Sequence, residues 1–276
     1  MELKKIFFPI GGGTHLEERI RGALLVNRHF GTYLSVLACQ YDPKILGGVF
    51  YDDVFDDNQD EFVAERKKNI EIFKKVANEL GVKISKDQHE AGCAYLRNAA
   101  GIRSELVEKY SKYSDLVVCA VPTDGKITGT FRASVMSSGK PCIVIPRVLE
   151  EFKTDRILLT LSGSPANSRA LTRWIPVLKT AREVHCISSI HHLQESEAET
   201  KGRIINYLDL HDIKISSFKT LPIEGKIPGE MLVDESVCGK FDVMITGLDM
   251  ENHLKEILVG GISKELLQRT KIPLLV

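Results

Sequence analysis

The chain has 276 residues, 37 basic and 37 acidic, and a formal net charge of zero. With 43% hydrophobic and 27% charged residues it has the composition of a globular protein, long enough for one large domain or two of ordinary size. The balanced charge excludes a basic nucleic-acid module in either half, and no apolar run approaches the ~18 residues of a membrane helix.

In chain order, residues 4–10 read as an apolar strand and are followed by Gly11-Gly12-Gly13-Thr14. Leu16, Ile20, Ala23, Leu24 and Asn27 then recur on one helical face. Residues 33–39 read as a second strand. An acidic stretch near 42–60 follows, with Asp52, Asp53, Asp56, Asp57 and Asp60, and reads as a solvated insertion without the apolar content to order itself. Residues 60–80 are predicted helical, closed by Gly81. Residues 82–85 read as a third strand, and Ile102, Leu106 and Tyr110 mark a third helix. Residues 115–121 and 141–146 read as fourth and fifth strands, with a short helix opening at Gly129-Thr130 between them.

After a linker at 150–154 the pattern restarts. Strands are predicted at 156–161, 184–188, 213–218, 243–245 and 273–276. The intervening helices carry Ala170, Leu171, Trp174, Val177 and Leu178, then residues 194–211 with Ile204, Ile205 and Leu208 inward, then 228–238, with Pro228 suited to a first turn. A last helix carries Ile262, Leu266 and Leu267. The halves superimpose as sequences. Ile6-Phe7-Phe8-Pro9-Ile10 aligns with Ile157-Leu158-Leu159-Thr160-Leu161, and Asp115-Leu116-Val117-Val118 with Asp242-Val243-Met244-Ile245. Strands alternating with helices imply parallel sheets with right-handed crossovers. The expectation is therefore an α/β chain of two tandem five-stranded parallel-sheet domains, residues 1–150 and 155–276, with the insertion near 42–60 in the first.

The strand at 243–245 runs through Thr246-Gly247 and a loop to Gly260-Gly261, where a helix opens. Unpaired amides and partial positive charge at a helix N-terminus, with glycine letting a phosphate approach, make this a candidate nucleotide site. Here the sequence resembles a tandem universal stress protein, of the UspA type, over nearly the whole chain. ATP-binding members of that family carry G-x2-G-x9-G-S/T after the fourth strand. Gly247 and Gly260 stand at that spacing, Met250 replaces the second glycine, and Gly261 replaces Ser or Thr. The V-P-x-D-G-S pattern after the first strand has Ser162-Gly163 in the second half and Gly11-Gly12 in the first, so neither half has the aspartate. In the first half Ala120 replaces the first loop glycine and the loop to Gly129-Thr130 is shorter.

The resemblance implies the universal stress protein (adenine nucleotide alpha hydrolase-like) fold in both domains, paired as an internal pseudo-dimer and able to form a homodimer. It implies a cytoplasmic, non-enzymatic stress-response regulator, chaperone-like factor or ligand-binding protein. The candidate nucleotide-binding residues are Ser162, Gly163, Gly247, Gly260, Gly261 and Ser263. Its ligand would be ATP, weakly held or absent, with no metal beyond a nucleotide-bound Mg, no nucleic acid and no membrane insertion. The alternatives are an ATP-binding protein with slow hydrolysis, and a small-molecule or lipid binder using the emptied pocket.

The remaining features read as structural. Gly11-Gly12-Gly13-Thr14 lacks the P-loop lysine and fits a tight turn, and Ser162-Gly163-Ser164 lacks the second glycine of a pyrophosphatase-type loop. His191-His192 has no partner at i+4, and His89 and Cys93, though four apart, have Gly92 between them, so neither pair reads as a helical metal site. The six cysteines, Cys39, Cys93, Cys119, Cys142, Cys186 and Cys238, form no CxxC pair and read as buried, reduced thiols. The start, Met1-Glu2-Leu3-Lys4-Lys5, leads into a strand pattern rather than a signal peptide. No nucleophile–base–acid set emerges from spacing, which favours binding over catalysis.

Overall fold

The computed structural model describes residues 2–10, 14–41, 49–51, 60–122, 127–161, 164–189, 196–221, 228–248 and 262–276. The chain divides into two compact units, Met1–Phe152 and Lys153–Val276.

The first unit has strands β1 (Lys5–Ile10), β2 (Tyr33–Tyr41), β3 (Val49–Tyr51), β4 (Ala94–Gly101), β5 (Leu116–Ala120) and β6 (Cys142–Ile145), in the order β3-β4-β2-β1-β5-β6. Its helices are α1 (Leu16–Phe30), α2 (Asp60–Glu79), α3 (Arg103–Ser111) and the short α4 (Gly129–Arg132), which continues as a π-type turn over Ala133–Ser137. The second unit has β7 (Arg156–Leu161), β8 (Glu183–Ser189), β9 (Ser217–Leu221), β10 (Val243–Ile245) and β11 (Leu274–Leu275), in the order β11-β10-β7-β8-β9. Its helices are α5 (Pro165–Leu178), α6 (Glu197–Asp209), α7 (Pro228–Cys238) and α8 (Ile262–Arg269).

The apolar runs became the strands nearest the middle of each sheet. Ile6, Phe7 and Phe8 of β1, Leu116 to Val118 of β5, and Val243 to Ile245 of β10 are fully buried or nearly so. Buried parallel strands carry apolar residues on both faces, which is why these segments read as continuous runs rather than alternations. Trp174 of α5 is wholly buried and its indole N–H donates to the Val276 carbonyl at 3.4 Å, which ties α5 to the end of the chain. Gly81 takes a left-handed φ of 67° and closes α2, with Val82 N–H bonded back to the Ala77 carbonyl at 2.8 Å.

One interaction recurs in both units. Asp115 Oδ2 accepts the Lys5 amide at 2.9 Å, and the Lys5 carbonyl accepts the Asp115 amide at 2.9 Å. In the second unit Asp242 Oδ2 accepts the Arg156 amide at 2.8 Å, and the Arg156 carbonyl accepts the Asp242 amide at 2.9 Å. The two aspartates that aligned in the sequence thus perform the same task. Each bonds the first strand of its unit at the start of the strand paired beside it, β5 or β10.

Several expectations are corrected. Residues 82–85 are not a strand; they contribute one bridge, Ile84 to Ala94, and the third parallel strand is β4. β4 reads AYLRNAAG, whose alanines and asparagine are weak strand formers, and it is held by eight pairings with β2. The acidic stretch is not all solvated loop, because Val49–Tyr51 pairs antiparallel with β4 and gives the first sheet a sixth strand. Its acidic residues 52–59 lie outside the described residues. The strand expected at 213–218 begins instead at Ser217, and Ile205 of α6 is exposed rather than inward.

Cys39, Cys93, Cys119, Cys142 and Cys186 are buried, whereas Cys238 is exposed at the end of α7, against the expectation of six buried thiols. Burial pushes the thiols of Cys39 and Cys186 up to about 12, so both remain protonated through neutral and mildly alkaline pH. Iodoacetamide at pH 8 is expected to alkylate Cys238 alone in the native protein and all six cysteines in denaturant, read by intact mass. A second fast adduct on the native chain would contradict this burial.

Candidate functional site

In the second unit the strand order reverses direction between β7 and β10: the chain winds outward through β8 and β9 on one side and through β11 on the other. Such a switch point leaves a crevice at the carboxyl ends of the two strands, because the connections leave them in opposite directions. The end of β7, the first turn of α5 and the residues after β10 converge there.

The floor of this crevice is polar where the rest of the sheet is apolar. Thr160 of β7 and Thr246 after β10 are buried, and their hydroxyls lie 2.9 Å apart. Thr160 Oγ1 also donates to the Ile245 carbonyl at 3.3 Å and accepts from Asn167 Nδ2 at 3.2 Å. Asn167, on the first turn of α5, is itself buried. The three side chains join two strands and a helix N-terminus through hydrogen bonds alone, and buried polar groups persist only when satisfied in this way. Beside them Ser188 of β8 donates to the Leu161 carbonyl at 3.0 Å.

Gly247 closes one wall. A Cβ placed there would lie 2.2 Å from the Asn167 nitrogen and 2.5 Å from the Ala166 carbonyl carbon, both backbone atoms that cannot move aside. The residue is glycine because the chain leaving β10 runs against the first turn of α5. Ser164 caps that helix by accepting the Asn167 amide at 3.2 Å, and Pro165 occupies its first position. This assigns Ser164 a structural role.

After the segment that follows β10, α8 begins at Ile262, and Ser263 in its first turn is buried. The helix is seated against α7 by Gly229, where a Cβ would fall 2.5 Å from Glu265 Cβ and 3.0 Å from the Ile262 carbonyl. Arg269 of α8 reaches back to Glu230 at 2.8 Å and to Glu265 at 2.9 Å. Of the expected site residues, Gly247 and Ser263 are placed; Ser162, Gly163, Gly260 and Gly261 lie outside the described residues.

The equivalent crevice of the first unit, between β1 and β5, differs in chemistry. Ala120 ends β5, and Thr128 caps α4 by accepting the Phe131 amide at 3.1 Å. Burial, and then the neighbouring Arg147, hold the Arg19 guanidinium below its ordinary range. Gly11 to Gly13, His191 and His192 lie outside the described residues. Among the described residues no cluster of three or more His, Cys, Asp or Glu could hold a metal, and no helix is long and apolar enough to cross a membrane.

Comparison with solved structures places this architecture. A universal stress protein from Archaeoglobus fulgidus superimposes with a TM-score of 0.64 over 100% of this chain and 98% of that one, at 15% identity. The chain has the universal stress protein fold. A functionally unknown protein from Pseudomonas aeruginosa superimposes on the same scale, with a TM-score of 0.54 over 99% of this chain and 92% of that one, at 11% identity. No protein-family model matches the sequence, and no curated protein matches it.

Sequence reasoning missed Thr160, Thr246 and Asn167, which are joined only through tertiary structure; the one available signal was a threonine at the end of each of two aligned strands. The packing at Gly247 is testable apart from any ligand. Gly247→Ala is expected to destabilise the second unit by about 1–3 kcal/mol in chemical denaturation, as overpacking against fixed backbone does. Gly129→Ala is expected to be neutral or better, because a Cβ at Gly129 would meet only Ser104, at 3.6 Å. Equal effects for the two substitutions would contradict the close approach.

Proposed function

We propose that the chain is a tandem universal stress protein that works by binding at the second unit's crevice, as a cytoplasmic stress-response regulator with a degenerate nucleotide site. The observation that carries this reading is the buried Thr160–Thr246–Asn167 cluster beside the glycine contact at Gly247, at the place where open α/β sheets bind ligands. The fold supports it, and so does the sequence spacing from Gly247 to Gly260.

The chemistry of the cluster is neutral. Its hydroxyls and carboxamide donate to and accept from ribose and phosphate groups, but Ser162 stands where ATP-binding members have an aspartate. Exchanging a charge-assisted hydrogen bond for a neutral one costs on the order of 1 kcal/mol, about fivefold in affinity. Met250 adds bulk where a glycine would let the loop approach. The site therefore holds adenine nucleotides weakly.

Titration calorimetry with Mg-ATP tests this. The intact protein is expected to bind weakly, and Gly260→Val to lose that binding while its melting temperature holds. Tight binding that survives Gly260→Val would place the nucleotide elsewhere and overturn the assignment.

A further inference from the structure

At the opposite, N-terminal edge of the second sheet, four side chains share one face. Arg156 pairs in register with Glu183, and His185 with Ser217. Glu183 and His185 are two apart on β8, so all four project to the same side. His185 Nδ1 lies 2.7 Å from Ser217 Oγ, and His185 Nε2 lies 3.0 Å from Glu183 Oε2. Arg156 Nε stands 3.3 Å from the same carboxylate oxygen. Phe241, buried before β10, packs edge-on against the imidazole at 5.0 Å and lies under the Arg156 guanidinium.

We propose that Ser217, His185 and Glu183 form a nucleophile–base–acid relay that transfers acyl groups from small activated esters to water. The site is separate from the crevice and independent of the nucleotide reading. The hydrogen bonds select a working tautomer. Glu183 can only accept while it is ionised, so Nε2 carries the proton and Nδ1 is left basic toward the Ser217 hydroxyl. The hydrogen bond from His185, and then Arg156, hold the Glu183 carboxyl below its ordinary range, so it stays an anion. Ser217 is exposed at the edge strand β9, which leaves its hydroxyl open to a small substrate. The other charged groups facing this patch are Lys219, paired with Glu235 at 2.6 Å, and Arg182, whose charge also acts on Glu183.

In the first step Ser217 Oγ bonds to the ester carbonyl carbon as the C–O bond to the leaving alcohol breaks. The serine proton passes to His185 Nδ1 and then to that alcohol. In the second step water, deprotonated by the same nitrogen, releases the carboxylic acid and restores the serine. Ser217 and His185 are the catalytic residues; Glu183 and Arg156 are positioning residues.

The test uses the full chain with 4-nitrophenyl acetate, peptide mass spectrometry and circular dichroism of each variant. Acetylation is expected at Ser217, at a rate that depends on pH. His185→Gln is expected to slow acetylation of Ser217 on the order of 100-fold and flatten the profile. Glu183→Gln should retain slow acetylation with the midpoint of the profile moved, which a purely structural role would leave in place. Acetyl groups mapped only to lysines in the wild-type protein would overturn the proposal without any variant. An equal rate at Ser217 in folded His185→Gln would do the same.

Discussion

The pairing of β1 with β5, and of β7 with β10, is the contact on which the architecture depends. Neither strand follows the other in sequence, so the pairing closes a long loop, and its entropic cost must be met by specific bonds. At one end it is held by an aspartate, Asp115 in the first unit and Asp242 in the second, each bonded to the backbone at the start of its first strand. At the other end of the second unit it is held by Thr160 and Thr246. Because the chain departs from these two strands in opposite directions, the same pairing that builds the sheet also opens the crevice. Gly247, leaving β10, runs close against the first turn of the helix that follows β7.

This arrangement separates two kinds of chemistry within the second unit. The carboxyl ends of the strands gather uncharged hydroxyl and amide groups, enclosed by helix starts and glycine contacts. The amino ends gather Arg156, Glu183 and His185 at the surface, where solvent screens their charge. In the first unit Ala120 ends β5 where the second unit has Thr246 after β10, so the two units differ in the groups they set at the ends of these strands.

Much of the fold was legible in the sequence because buried parallel strands are nearly continuous apolar runs. β1, β5, β6, β7 and β10 all announce themselves this way, and α7 is bounded by Pro228 at its start. What was not legible lacked that signal. β4 carries Arg97 and Asn98 among alanines, and its pairing with β2 on one side and β3 on the other makes it a strand. β9 alternates exposed and half-buried residues at the edge of its sheet, so its start could slide along the chain. β3 hid inside an acidic stretch whose composition masked three strand-forming residues, Val49, Phe50 and Tyr51. The candidate site followed the same rule. Gly247 was visible from spacing, but its packing reason lay in Asn167, and the Ser217–His185–Glu183 chain joins strands more than thirty residues apart in sequence.

Hydrogen–deuterium exchange with and without Mg-ATP addresses the central claim most directly. The account predicts added protection confined to the first turn of α5 around Asn167, the residues following Thr246, and the first turn of α8 around Ser263. Protection centred on Arg19 and Arg147 in the first unit, with none at Asn167, would contradict it.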